Sequence, residues 1–203
     1  MITIENIDVY GWKASIRGLR NPMNSWDKSD TVYGADGYPI IGENDLTLME
    51  KLAEAGTDHR KYLRMITVYM DITAPLYWWK EYDTYKVGTV ANSCSTMHKI
   101  HEKEFTMDDF STDRCTERGL SVLRFVITNL NEFRRLYNET KDVEWWDQII
   151  QTLPSSYNQK RTVMLNYEVL KNIYKSRRNH KLKEWRDLCE RIKYLPYSEL
   201  ITG

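Results

Sequence analysis

Four consecutive residues, Asn92, Ser93, Cys94 and Ser95, set an amide, two hydroxyls and a thiol beside the backbone donors of a polar, glycine-led stretch. Such a set can take a phosphate oxygen or the edge of a base. A serine or cysteine nucleophile would also need a positioned base, and the nearest histidine, His98, lies three residues beyond Ser95 with no carboxylate identifiable to orient it. From Lys171 to Lys193 nine lysines and arginines stand against Glu184, Asp187 and Glu190. Much of this patch reads as a solvated helical face, but Arg177 falls at the expected end of a helix, where its planar fork can reach into a cleft and hold two phosphate oxygens. The four histidines form no metal signature: His98 and His101, with Glu102 and Glu104 nearby, read as surface residues, and no metal site is expected. Neither G-x-x-x-x-G-K-[ST] nor G-x-G-x-x-G occurs, which removes the common phosphate loop and the dinucleotide fingerprint.

These residues sit in a chain of 203 residues, 41% hydrophobic and 29% charged, a composition that supports one globular domain and excludes general disorder. Lys plus Arg equals Asp plus Glu at 29 each, so no net field draws the whole molecule to nucleic acid or an anionic membrane. No apolar run approaches the roughly 18 to 20 residues that span a bilayer. The first nine residues carry Glu5 and Asp8 where a signal peptide would be basic and then apolar, so a cytoplasmic protein is expected. Cys94, Cys115 and Cys189 contain no C-x-x-C pair and read mostly as buried thiols, not as a disulfide framework. Seven Trp and fourteen Tyr point to a core and subunit contacts built from large rings.

The elements that must position these groups follow from spacing. Residues 2–16 suit one or two strands broken at Gly11, and residues 18–42 read as a long loop or lid, because Asn21-Pro22, Gly34, Gly37 and Pro39 interrupt any pattern. Leu46, Met49, Leu52 and Ala53 predict a helix capped by Asn44 or Asp45 and stopped at Gly56. Residues 62–72 suit a buried strand, and Ala74-Pro75 opens a helix through Tyr85 with Trp78, Trp79 and Tyr82 along one side. Residues 88–98 read as a turn or loop. Beyond them, helical spacing predicts segments 118–137, 142–152, 159–176 and 182–192, so residues 118–192 form a mainly helical half. The expected architecture is a single α+β domain over residues 1–203, its central sheet contributed mainly by the N-terminal half and flanked by long C-terminal helices.

Three separated segments, taken in order, resemble the flavin-dependent thymidylate synthases, also called thymidylate synthase complementing proteins. The most telling is Leu153-Pro154, then Asn166 twelve residues after the proline, Leu170, Asn172 and Arg177, then His180 and Glu184-Trp185-Arg186. It is similar to the family's run of Leu-Pro, a helix-opening Asn, an Arg eleven residues later and a closing His-Ala-Gln-x-Glu-Ile-Arg, with one residue missing here near Asn179. The second is Leu46 to Ile72 followed by Ala74-Pro75, similar to the family's helix, His-containing turn and buried strand. Between them Asn92-Ser93-Cys94-Ser95-Thr96-Met97-His98 takes the place of Asn-Glu-x-Ser-x-Arg-Tyr.

The resemblance implies a homotetramer whose active sites, built from several subunits, hold FAD, deoxyuridylate and a methylenefolate, the flavin passing a hydride from NADPH. It places Ser95 and Arg177 as contacts to the nucleotide substrate, and Asn92, Asn166 and Asn172 near the flavin. Where the family grips the FAD phosphates with Arg-His-Arg, this chain has Thr84-Tyr85-Lys86, leaving Lys86 as the remaining cation. The motif Glu and Arg become Ser93 and Met97, and three further family positions become Met65, Ile150 and Glu168, of which the last two replace arginines. Each charge-assisted phosphate contact is worth about 1.5 to 3 kcal/mol, so losing several weakens a dianionic ligand by orders of magnitude. Two functions follow. One is a divergent member binding a nucleotide, with FAD, in an inter-subunit cleft, its reaction changed or lost; the other is an inactive nucleotide-sequestering or protein-binding module on the same tetrameric scaffold. No catalytic residue is assigned.

Overall fold

The computed structural model describes residues 1–203. Its elements are strand β1 (Thr3–Tyr10), helix α1 (Trp12–Arg20), the short strands β2 (Val32–Tyr33) and β3 (Pro39–Ile40), α2 (Glu43–Glu54), β4 (Thr67–Pro75), α3 (Leu76–Tyr82), β5 (Val90–Ser93), α4 (Glu117–Thr140), α5 (Val143–Thr152), β6 (Asn158–Asn166), α6 (Tyr167–Arg177), α7 (Lys183–Ile192) and α8 (Glu199–Thr202). Four strands form a sheet in the order β1-β4-β6-β5, and β2 pairs antiparallel with β3. The α+β class is as expected.

The chain groups into two compact units, each assembled from separated stretches. The first comprises residues 1–3, 72–84 and 92–161. Its core is Ile100, Phe105, Phe110, Leu123, Ile127, Leu130 and Ile149, with Phe133 and Tyr157 packed against it. The positions 123, 127 and 130 fall on one side of α4 by the helical repeat, which is why a 24-residue helix with many exposed charges stays folded. The Thr116 hydroxyl accepts from the Gly119 N–H to start it, and Lys141 at φ 58 ends it. Asp142 then accepts from the Glu144 N–H to open α5. Trp78, Trp79 and Tyr82 are buried on α3, their rings 4.8 to 5.2 Å apart.

The second unit comprises residues 4–71, 85–91 and 162–203. Gly11, at φ +93, ends β1, and a Cβ there would lie 1.9 Å from the Met65 carbonyl oxygen, so only glycine fits the approach. The residues after it are helical, not a second strand, because Trp12, Ser15, Ile16 and Leu19 recur at helical spacing and are buried. Trp185, Tyr167, Leu63, Ile66, Met49 and Met70 are among the largest fully buried side chains of this unit.

Several expected boundaries change. Residues 18–42 hold the end of α1, two 3-10 turns and the β2–β3 pair, and are not one irregular loop. Residues 60–65 form a 3-10 turn ahead of β4, and α3 stops at Tyr82. The expected loop 88–98 contains β5. The helix expected over 159–176 divides at Asn166 into strand β6 and helix α6, because Val163 and Leu165 alternate inward before the asparagine caps the helix. Cys94 and Cys115 are exposed and only Cys189 is buried, correcting the expectation that most thiols lie inside: the first two sit outside apolar helical faces.

Candidate functional site

Arg177 is the last residue of α6 and is half-buried. Its Nε donates to the Tyr85 hydroxyl at 2.9 Å, and its guanidinium carbon lies 4.7 Å from the centre of the Trp185 ring on α7. Nη1 lies 3.1 Å from His180 Nε2, while His180 Nδ1 accepts from the Leu182 N–H at 3.2 Å. Arg186 donates to the His180 and Lys181 carbonyls at 2.5 and 3.1 Å, pinning the turn that carries the imidazole. A guanidinium donates in its own plane, so stacking on an indole orients the fork without consuming its donors. The sequence reading singled out Arg177 but missed Tyr85 and Trp185 as its partners; the ring run Tyr85…Trp185 carried no spacing signal linking them.

The stretch that carries Lys86 also passes Asn166. Gly88, at φ +79, sits where a Cβ would come within 3.0 Å of the Asn166 amide nitrogen. Asn166 itself is 8% exposed, and its Oδ1 accepts from the Val169 N–H at 3.0 Å as the cap of α6. Thus the segment of Lys86 meets Arg177 through Tyr85 and Asn166 at Gly88, at opposite ends of α6. Lys86 and Asn172 are exposed, and neither side chain hydrogen-bonds or ion-pairs within the chain. Beside Asn166, Glu168 is 5% exposed and its carboxylate lies 2.8 Å from Arg60 Nε, so the position where the resemblance expects an arginine carries a neutralised anion.

Asn92 and Ser95 belong to the first unit. Asn92 is exposed on β5. The Ser95 hydroxyl accepts from the Met97 and His98 N–H groups at 3.1 and 3.0 Å, and the turn is anchored by Gln159 Nε2 donating to the Cys94 carbonyl at 2.8 Å and by the Cys94 N–H donating to the Lys160 carbonyl at 2.9 Å. No imidazole hydrogen-bonds Ser95, which leaves a serine nucleophile without its base.

The second unit also contains a cavity of about 1070 Å³. Its apolar wall includes Leu19, Leu48, Leu52 and Met65, and Lys28, His59 and Lys61 bring cationic or donor groups to it. None of Lys86, Asn92, Ser95, Asn166, Asn172 and Arg177 lines it, whereas Met65, one of the substituted positions, does, and His59 belongs to the His-containing turn of the resemblance. Its wall is braced by Asp45, which accepts from Arg20 Nε at 2.6 Å, Ser29 Oγ at 2.7 Å and Thr31 Oγ1 at 2.6 Å. Burial pushes the Asp45 carboxyl up, but hydrogen bonds from Thr31, Ser29 and Arg20, with the Arg20 charge, outweigh it and hold the group below its ordinary value. No group of three or more His, Cys, Asp or Glu is placed to hold a metal, and no helix is long and apolar enough to cross a membrane.

No protein-family model and no curated protein matches the chain. Solved structures do. Thymidylate synthase X (ThyX) from Helicobacter pylori, with FAD and dUMP, superposes at a TM-score of 0.71 with 16% identity over 100% of this chain and 97% of that one. A second Helicobacter pylori structure, flavin-dependent thymidylate synthase ThyX complexed with FAD and dUMP, gives 0.66 and 17% over 98% and 97%. The UMP/dUMP methylase PolB from Streptomyces cacaoi, bound with 5-Br dUMP, gives 0.66 and 15% over 98% and 93%. At these identities the likeness establishes the fold, and the chain has the fold of the ThyX-type thymidylate synthases along its whole length.

Proposed function

We propose that the chain is a divergent thymidylate synthase-like protein that binds a nucleotide, with FAD as cofactor, in an inter-subunit cleft of a homotetramer. The observation that carries this reading is Arg177 at the end of α6, its fork oriented by the Tyr85 hydroxyl and the Trp185 ring. Arg177 and Lys86 neutralise phosphate in this reading, and Asn166 and Asn172 serve the flavin. The resemblance adds Ser95 as a nucleotide contact and Asn92 as a flavin contact. Support comes from the FAD and dUMP of the two Helicobacter pylori structures and the 5-Br dUMP of PolB.

Titration calorimetry with dUMP and with FAD tests it. Arg177→Ala should weaken dUMP binding by roughly tenfold or more, the scale of one charge-assisted phosphate contact. An unchanged affinity removes Arg177 from the site, and a wild-type protein that takes up neither ligand overturns the reading. Native mass spectrometry should show four subunits and any flavin that co-purifies.

A second reading is favoured by Glu168. A buried carboxylate ion-paired with Arg60 cannot replace an arginine at an FAD-binding position, so a nucleotide-sequestering module without flavin chemistry keeps the Arg177 cluster and drops the cofactor. A colourless protein that binds dUMP but not FAD selects it.

A further inference from the structure

A second cavity of the second unit, about 380 Å³, lies along the edge strand β1 and is not lined by Arg177. It is lined by Ile7 and Val9 from β1, by Leu195 and Pro196 after α7, and by three tyrosines, Tyr10, Tyr38 and Tyr194. Leu195 is buried, whereas Tyr10, Tyr38 and Tyr194 are 57%, 39% and 80% exposed, so the three rings at the cavity are not covered by the rest of the chain. Tyr10 is steadied edge-on by Tyr69 at 6.1 Å, and Tyr38 by hydrogen bonds of its N–H to Asp36 and of its carbonyl from the Gly34 N–H. The same cavity is flanked by Asp8 and Arg191, opposite charges whose side chains make no ion pair with each other or with any other residue.

We propose that this cavity is a binding site for a small aromatic zwitterion, a molecule of one ring carrying both an ammonium and a carboxylate, of the size of an aromatic amino acid. The volume is near the lower end of ligand pockets, about 300 to 1,000 Å³, which admits one ring with a short arm and excludes a flavin dinucleotide. A purely anionic ligand would meet Arg191 but be repelled by Asp8, and a purely cationic one the reverse. A zwitterion satisfies both, while the tyrosines take the ring edge-on or offset. This assignment is independent of the nucleotide reading, since none of its residues belongs to the Arg177 cluster.

The test is titration of the full chain with four probes: L-phenylalanine, phenethylamine, 3-phenylpropionate and L-alanine. L-Phenylalanine should bind roughly tenfold tighter than each of the others, because each lacks one of the three recognised groups. Arg191→Gln should abolish the preference over phenethylamine, and Asp8→Asn the preference over 3-phenylpropionate. Both positions are exposed, and unchanged circular dichroism confirms that the variants fold. No saturable binding of L-phenylalanine, equal affinity for all four probes, or an affinity that neither substitution moves would overturn the proposal.

Discussion

Arg177 and Tyr85, 92 positions apart in sequence, meet through a 2.9 Å hydrogen bond from the guanidinium Nε to the phenol oxygen. Tyr85 is the middle residue of Thr84-Tyr85-Lys86, the triplet that stands in place of three phosphate-gripping residues in the resemblance. The triplet thus contributes one cation, Lys86, and a phenol oxygen that accepts from the guanidinium at the end of α6.

If that contact matters, Tyr85→Phe separates orientation from bulk. The ring stays against Trp185, and only one hydrogen bond of a half-buried pair is lost, so unfolding free energy should change by no more than about 1 kcal/mol. Affinity for dUMP should fall roughly three- to tenfold because the fork loses an orienting contact. Calorimetry and urea unfolding on the same sample check both. Identical affinity would mean that stacking on Trp185 suffices.

Asn166 poses the opposite question, since a residue expected beside a flavin is visibly a helix cap. Asn166→Ala should cost about 1 kcal/mol in urea unfolding, the usual loss of an N-cap acceptor, whereas Asn166→Asp keeps the acceptor and should remain near wild type. Asp removes the amide donor, however. If Asn166→Asp retains stability and loses FAD affinity, the amide nitrogen beside Gly88 serves the ligand; if it retains both, the residue is a cap alone.

The division at Asn166 also shows what spacing can and cannot reveal. Residues 159–176 satisfied a helical template through Val163, Tyr167, Leu170, Ile173 and Tyr174, yet the first half is a strand. Val163 and Leu165 fit an alternating pattern equally well, and the Tyr167 N–H bonding the Ile66 carbonyl at 3.1 Å is a long-range contact that no local pattern encodes. By contrast α4, α5 and α7 were legible because their apolar stripes are long and their caps, Thr116 and Asp142 among them, are of the usual type. At the site, Arg177 was legible from its position at a helix end. Its partners were not, because Tyr85 and Trp185 reach it through the fold, and the cavity beside His59 is made by residues from α1, α2 and three 3-10 turns.

The cysteines give a direct check on the packing of α7. Burial, with the neighbouring Glu190 charge, pushes the Cys189 thiol up to about 11, against an ordinary value near 9, whereas Cys94 and Cys115 are exposed. A thiol reagent at pH 8 should therefore label two cysteines quickly and the third only on unfolding, because the thiolate is the reacting form. Three fast thiols would mean that α7 is loosely held.

The Arg20–Asp45 pair is the feature whose loss should be felt most. The two side chains are 4% and 0% exposed, and Asp45 also fastens Ser29 and Thr31, so the pair ties the segment after α1 to the first turn of α2 at the wall of the large cavity. Asp45→Asn leaves a buried guanidinium uncompensated and should cost about 3 to 5 kcal/mol, while Arg20→Met with Asp45→Asn should recover part of it. The pH dependence has a definite sign. A carboxyl held below its ordinary value binds its proton less readily folded than unfolded, so its contribution is fully present above the unfolded value, about 3.9, and is lost as pH falls through the lower folded value. Urea unfolding of wild type and Asp45→Asn should therefore differ fully at pH 7 and converge on acidification below about pH 4. A gap that stays constant down to acid would show that the hydroxyl and backbone hydrogen bonds to residue 45, not its charge, hold this wall together.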